Sequence, residues 1–328
     1  MTTLKDVANA VGVSVATVSY VLTGRGSVSK ETSLKVMAAV KKLGYRPNRT
    51  AQAMRTGFTQ SIGLLLPDLT NPFFPQLAQK IENAARQRDF SVLLVDCQSN
   101  PDTEAEAFNL LKQQGVDGII WCPSSDIAPD SIHSVGCPVV LIDRPISGFD
   151  SVYSDYYKGG QLLGEYALSM GHTQVGLLSG PKHIEGARKR RQGFIDSVTG
   201  PDKNLTIVWD LEVPFSTELS PESLQRLNEK DVTLIVAADD LIAVGAISAL
   251  NEIGQRVPED VSVTGFDNIP WSTVVTPKLT TINQAISAMG GQAVDILAEK
   301  ISEPDMPIRT VLLDVELVER HSVKRVKA

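Results

Sequence analysis

The spacing of apolar positions changes character along this chain. Over the first 45 residues they fall three and four apart. Leu4, Val7, Ala8 and Val11 mark one face of a helix, and Val18, Val21 and Leu22 one face of a second. Thr3 with Asp6 makes a capping-box pattern before the first helix; Gly12 and Val13 form the turn, and Ser14 caps the second. A third helix is expected over 30–43, capped by Ser29, with Val36, Val40 and Leu43 facing inward and Gly44 ending it. Two helices joined by a short Gly-containing turn are the helix-turn-helix pattern, whose second helix enters a DNA major groove. Two amphipathic helices at the end of any domain give the same periodicity.

A different texture follows. Pro47 ends any helix before it, and Asn48 to Gly57 allows one short helix. So few turns do not hold in water without a partner, so this stretch is either a plain linker or a helix that forms against a second copy on DNA. From Ser61 the apolar residues run continuously: 61–67, 91–95, 118–121, 139–142, 174–178, 205–209, 234–237 and 261–264, with 151–153 and 280–282 shorter. Strands buried on both faces read this way. Helical patterns alternate with them, at 75–88, 102–114, 158–170, 187–198, 221–227, 241–253 and 287–301, and 310–318 reads as a last strand. The alternation implies βαβ units and parallel sheets, in two similar halves facing each other. No 18-residue apolar run and no secretory leader pattern occurs, so no membrane span is expected and the cytoplasm is the expected compartment. No heptad pattern closes the chain.

Charge sharpens the first reading. The net charge of −7 argues against nucleic acid taken whole. Residues 1–60 carry nine Lys/Arg against two acids, hence +7, and the rest carries 22 against 36, hence −14. A basic head on an acidic body marks a local phosphate-binding surface. Cys97, Cys122 and Cys137 lack metal spacing and read as small buried hydrophobes of a reducing compartment; no metal site is expected.

Ligands of open α/β sheets sit at the carboxyl ends of strands. The loops there carry Asp68 to Phe74, Asp143-Arg144, Gly180-Pro181 with Arg188, Asp239-Asp240, Asp267 and Gln284. Carboxylates accept hydroxyl protons, Arg donates, and aromatic faces cover the C–H side of a sugar, so the set suits a polyhydroxylated ligand. Asp155 reads as a helix cap. Two rivals stay open: a sugar-metabolising enzyme using NAD or ATP, and a transporter's solute-binding protein. The chain has neither Walker spacing nor a strand followed by G-x-G-x-x-G, and none of its four His neighbours a nucleophile, so no catalytic role and no cofactor is assigned. A solute-binding protein has no use for a basic head.

Lys5-Asp6-Val7-Ala8, Gly12-Val13-Ser14, Thr17-Val18-Ser19, Gly44-Tyr45, Pro47-Asn48, Ser61-Ile62-Gly63 and Gly265-Phe266-Asp267, in this order, resemble the LacI/GalR family of bacterial transcription regulators. The resemblance runs from Thr3 to Val323. It implies an all-α helix-turn-helix headpiece (1–46), a hinge (47–60) and an α/β two-lobed effector domain like type I periplasmic binding proteins (61–328). The first lobe would take about 61–156 and 287–314, the second 157–286 and 315–328. It implies a homodimeric repressor on a near-palindromic operator, controlled by an effector between the lobes. Base-reading positions fall on Val15, Ala16 and Tyr20, with Thr17 and Ser19 for phosphate or base contacts. Thr3, Ser14, Arg25, Asn48, Ala51 and Arg55 complete the DNA-facing set. Met54 stands where the minor-groove wedge is usually Leu, and Gln52 replaces a common basic neighbour. The cleft looks most like the ribose-type branch, with Asn71, Phe73, Phe74, Asp143, Arg144, Arg188, Asp267 and Gln284 as ligand contacts and Phe215 as a wall. Asp239 departs, standing where pentose binders have Asn. An ionised Asp only accepts. The expected effector is therefore a pentose-like sugar or derivative with an additional donor or altered stereochemistry, and not ribose itself. The Arg188–Arg191 run raises a phosphorylated sugar as the alternative.

Overall fold

The computed structural model describes residues 2–23, 26–45, 57–229 and 231–326, and divides into two units, 1–59 and 60–328. In the first unit α1 (Leu4–Val11), α2 (Val15–Thr23) and α3 (Lys30–Leu43) enclose Val7, Ala8, Val18 and Val36. Leu4, Val11, Val21, Leu22, Val40 and Tyr45 close that core from its edges. The caps sit where the side chains call for them. Thr3 and Asp6 exchange hydrogen bonds as a capping box, Ser14 accepts the Thr17 N–H at 3.0 Å, and Ser29 accepts the Thr32 N–H at 3.2 Å. Gly12 and Gly44 end α1 and α3 at φ 75° and 60°, the left-handed region that glycine enters freely. Leu43 does not face inward as the periodicity suggests. It is 36% exposed, as the last residue of α3 before the Gly44 cap.

The second unit begins with β1 (Ser61–Leu66), β2 (Ser91–Asp96), β3 (Gly118–Trp121), β4 (Val139–Ile142) and β5 (Asp150–Ser154). With β11 (Thr310–Leu313) they form a parallel sheet in the order β2-β1-β3-β4-β5-β11. One face packs on α4 (Phe73–Gln87) and α10 (Ile286–Ser302) through Leu77, Ile81, Ala293 and Leu297. The other packs on α5 (Pro101–Gln114) through Phe108 and Leu111. The second sheet is parallel in the order β7-β6-β8-β9, from β6 (Gln174–Ser179), β7 (Thr206–Glu212), β8 (Leu234–Ala237) and β9 (Ser262–Thr264). Around it lie α6 (Tyr156–Ser169), α7 (Glu185–Val198), α8 (Pro221–Glu229) and α9 (Asp240–Glu252).

The predicted single strand 310–318 is two strands. β11 belongs to the first sheet, while β12 (Val315–Val318) pairs antiparallel with β10 (Thr281–Gln284) beside the second. Asp314 is where the chain changes sheets. It also crosses at Asp155, which caps α6 by accepting the Lys158 N–H at 2.9 Å, and at Ala285. Helices α6 and α7 touch backbone to backbone. A Cβ on Gly160 would overlap the Arg190 carbonyl, and one on Gly193 the Tyr157 carbonyl. This contact fixes the rotation of α7 and so the direction of each of its arginines.

Candidate functional site

A cleft of about 370 Å3 opens between the two sheets at the carboxyl ends of their strands. One wall comes from the first lobe. Asn71 turns the chain into α4, its Oδ1 accepting the Phe73 N–H at 3.0 Å. That starts α4 at Phe73, earlier than expected at 75, and brings Phe73 and Phe74 into the cleft edge to face, 5.3 Å apart. After β4, Asp143 takes a left-handed φ of 67°. The Tyr156 hydroxyl lies 2.6 Å from its Oδ1. Burial, and then Asp143 itself, push the Tyr156 phenol well above its ordinary range. Arg144 donates to the Pro123 carbonyl at 2.8 Å and lies 5.8 Å from the Phe74 ring centre.

The second wall is more highly charged. Arg190 reaches in from α7, paired with Asp267 at 3.0 Å and donating to the Ala238 carbonyl at 2.7 Å. Its guanidinium stacks 3.9 Å from the Phe266 ring centre and 4.9 Å from that of Tyr156. Asp267 has φ 104° and accepts the Gln284 Nε2–H at 2.7 Å. Burial raises its carboxyl to about 6, with Arg190 pulling the other way. Asp239 caps α9, its Oδ1 accepting the Ile242 N–H at 2.8 Å. Burial, and then Asp267, raise it to about 7. Its neighbour Asp240 turns away to hold the Ile269 N–H at 2.8 Å and the Thr281 hydroxyl. Phe215 leans over Gly180 to complete the lining.

Asn71, Phe73, Phe74, Asp143, Arg144, Phe215, Asp239 and Asp267 thus meet around one cavity. Gln284 stands behind Asp267 and does not line it. Arg188 does not line it either. It lies exposed at the mouth, 2.8 Å from Asp126, and donates to the Lys182 carbonyl at 2.5 Å. The cleft arginine is Arg190. Two residues turn a helix by about 200°, so a shift of two exchanges its faces. The buried positions Ala187 and Phe194 share a stripe with Arg190, and that helical phase is the signal that identifies it. Tyr156, the first residue after the Asp155 cap, and Asp126, in the loop after β3, also go unmarked by the sequence. Asp126 accepts the Glu185 N–H at 2.9 Å besides holding Arg188, and so ties the lobes together at the cleft mouth. The rest of the basic run is neutralised on the surface. Lys189 pairs with Glu185, Arg191 with Asp210 and Lys182 with Glu212. Cys97 and Cys122 are buried and Cys137 is half-buried; burial pushes the Cys97 thiol up to about 12. Among the described residues no cluster of His, Cys, Asp or Glu is placed to hold a metal, and no helix is long and apolar enough to cross a membrane.

In the first unit, Thr3, Ser14, Val15, Ala16 and Tyr20 are exposed, and Thr17 and Ser19 half-buried. Tyr20 is 50% exposed, with its ring resting on Gly26, where a Cβ would stand 3.2 Å from the ring. Thr17 shares its hydroxyl with Ser14 at 2.8 Å, so part of its polarity serves the cap. Arg25, Asn48, Ala51, Met54 and Arg55, and with them the expected hinge helix, lie outside the described residues.

Residues 3–48 match the family model for bacterial regulatory proteins of the lacI family. Residues 59–321 match the model for periplasmic binding proteins and the sugar binding domain of the LacI family. The chain is 33% identical to the HTH-type transcriptional repressor PurR of Mannheimia succiniciproducens, over 99% of this chain and 100% of that one. It is similar in structure to the Lac repressor dimer bound to operator and an anti-inducer (30% identity, TM-score 0.83), covering 98% of this chain and 99% of that one. It is similar, too, to a LacI family regulator of Enterococcus faecium with bound ribose (31% identity, TM-score 0.72), covering 81% of this chain and 100% of that one.

Proposed function

This chain belongs to the LacI family of bacterial regulatory proteins, DNA-binding repressors and not enzymes, and we propose that an unphosphorylated, pentose-sized sugar in its cleft sets its affinity for operator DNA. The chemistry of the cleft's lining carries this reading. Four aromatic rings, three aspartic side chains and two guanidinium groups make a lining for a compact polyol. The cations that a phosphate would need, Lys182, Arg188, Lys189 and Arg191, are already paired with acids outside the cleft. A phosphorylated effector therefore has less support.

On DNA, a homodimer in the cytoplasm meets a near-palindromic site. Val15, Ala16 and Tyr20 offer a largely apolar reading edge, suited to thymine methyl groups, and the +7 head supplies phosphate contacts. Residues 48–55 serve as the hinge, with Met54 as the wedge at the central step. The sugar acts by binding one of two states more tightly, a coupling of about 1–3 kcal/mol, and its binding releases the operator.

Thermal-shift measurements on the full chain test the ligand. D-ribose or another neutral pentose raises the melting temperature; ribose 5-phosphate, cellobiose and a purine base raise it less. Stabilisation by one of those three alone contradicts the reading. Removal of residues 1–58 keeps the sugar response and abolishes binding to sites selected from random DNA; surviving DNA binding would overturn the division of labour.

A further inference from the structure

One carboxyl oxygen on the cleft wall has no partner. Asp239 Oδ1 caps α9 by accepting the Ile242 N–H at 2.8 Å, while Oδ2 is buried and makes no hydrogen bond. An ionised carboxylate would place buried charge on an Oδ2 that makes no hydrogen bond, with the Ile242 and Leu241 N–H groups at the start of α9 and the Arg190 charge as the only groups favouring it. Arg190, the cation whose charge acts on Asp239, is committed to Asp267 at 3.0 Å and to the Ala238 carbonyl. The remaining charged or titratable groups around Asp239 do not donate to it. Asp240 holds the Ile269 N–H and the Thr281 hydroxyl, Arg144 serves the Pro123 carbonyl, and Tyr156 gives its hydroxyl to Asp143. Asp267, already holding Arg190 and Gln284, is the carboxylate of the pair that stays ionised.

We propose that Asp239 binds the effector as a neutral carboxylic acid, its Oδ2–H donating a hydrogen bond to a sugar oxygen, so that binding requires one proton on the protein. The proposal rests on the sugar reading above. A neutral acid offers one acceptor and one donor, the same pair as a carboxamide. The requirement for an additional ligand donor, which follows from an ionised Asp239, then disappears, and an ordinary pentose suits the site. Burial and the Asp267 charge favour the neutral form and outweigh the Ile242 and Leu241 N–H groups and Arg190, which favour the ionised one.

D-ribose is the probe, measured by calorimetry on the full chain at about pH 6 and pH 8. Only the protonated form binds, so affinity falls by about tenfold between these values as Asp239 ionises. Asp239→Asn keeps the cap to Ile242 and a fixed donor, so it binds ribose equally well at both. Equal affinity of the unaltered protein at both pH values, tighter binding at pH 8, or loss of ribose by Asp239→Asn at both overturns the proposal. If ribose binds neither protein, the pentose reading fails and the ligand-free proteins decide the protonation state. A carboxyl raised in the folded state contributes stability below its unfolded value of about 3.9, and loses it as pH rises through the folded value. Melting curves of the two proteins that diverge from about pH 5 to pH 8, with Asp239→Asn holding up better, support the neutral acid. Parallel curves overturn it.

Discussion

The two walls of the cleft are built on opposite principles. On the first lobe the polar groups find partners within the protein: Asn71 on the Phe73 N–H, Asp143 on Tyr156, Arg144 on the Pro123 carbonyl. That wall is finished before a ligand arrives, and gives shape and aromatic surface. The second wall is unfinished. Asp239 Oδ2 and Arg190 Nε, both in the lining, are buried without hydrogen-bond partners, as is Gln284 Oε1 behind Asp267, and the one guanidinium is paired with Asp267. Buried polar atoms left open cost stability, and the Asp239 and Arg190 atoms differ from others of this kind in lining a cleft where a ligand can answer them. Shape is therefore assigned to the first wall and chemical selection to the second.

The sharpest way to break this contrast is to remove Arg190. Arg190→Ala strands the Asp267 charge beside Asp239, and should destabilise the second unit by about 3–5 kcal/mol and abolish the sugar-induced melting shift. Arg144→Ala, on the finished wall, should cost only about 1–2 kcal/mol and weaken the shift without abolishing it. Chemical denaturation and thermal shift measure both, and equal effects would end the distinction. A smaller effect is expected where the walls meet at the mouth. Asp126→Ala removes the acceptor of Arg188 and of the Glu185 N–H. Stability should change by less than about 1 kcal/mol, because the pair is solvent-exposed, while sugar affinity falls by about fivefold because the closed cleft loses a tie. Unchanged affinity by calorimetry would remove Asp126 from the closing contacts. The smallest effect belongs to Arg188→Ala, within about 0.5–1 kcal/mol in stability and with the ligand shift retained. Loss of that shift would restore Arg188 to the site and displace Arg190.

This last pair shows where sequence reading reached its limit. Strands such as Ser61–Leu66 and Leu234–Ala237 are legible because burial on both faces demands uninterrupted apolar residues. The caps at Thr3, Ser14, Ser29 and Asp155 are legible because each satisfies local N–H groups with its own side chain. Most cleft residues follow from their places at strand ends. Arg190 was hidden because four basic residues stand in a row, and only the packing of α7 on α6 through Gly160 and Gly193 decides which one turns inward. The split at Asp314 was hidden for a related reason. Thr310–Val318 has strand character throughout, and the change of partner strand is decided by distant chain. Likewise the protonation state of Asp239 depends on Asp267, 28 residues further along the sequence, and on what Arg190 already holds.

The central claim is that the cleft governs the DNA-reading head. Its most direct test is the affinity of the full chain for a DNA site selected from a random library, measured at fixed salt while D-ribose or another stabilising pentose is titrated in. The account predicts that the sugar weakens DNA binding by about 5–150-fold, with the midpoint at the concentration that half-saturates the cleft. DNA affinity that stays constant while the same sugar saturates the cleft would contradict it.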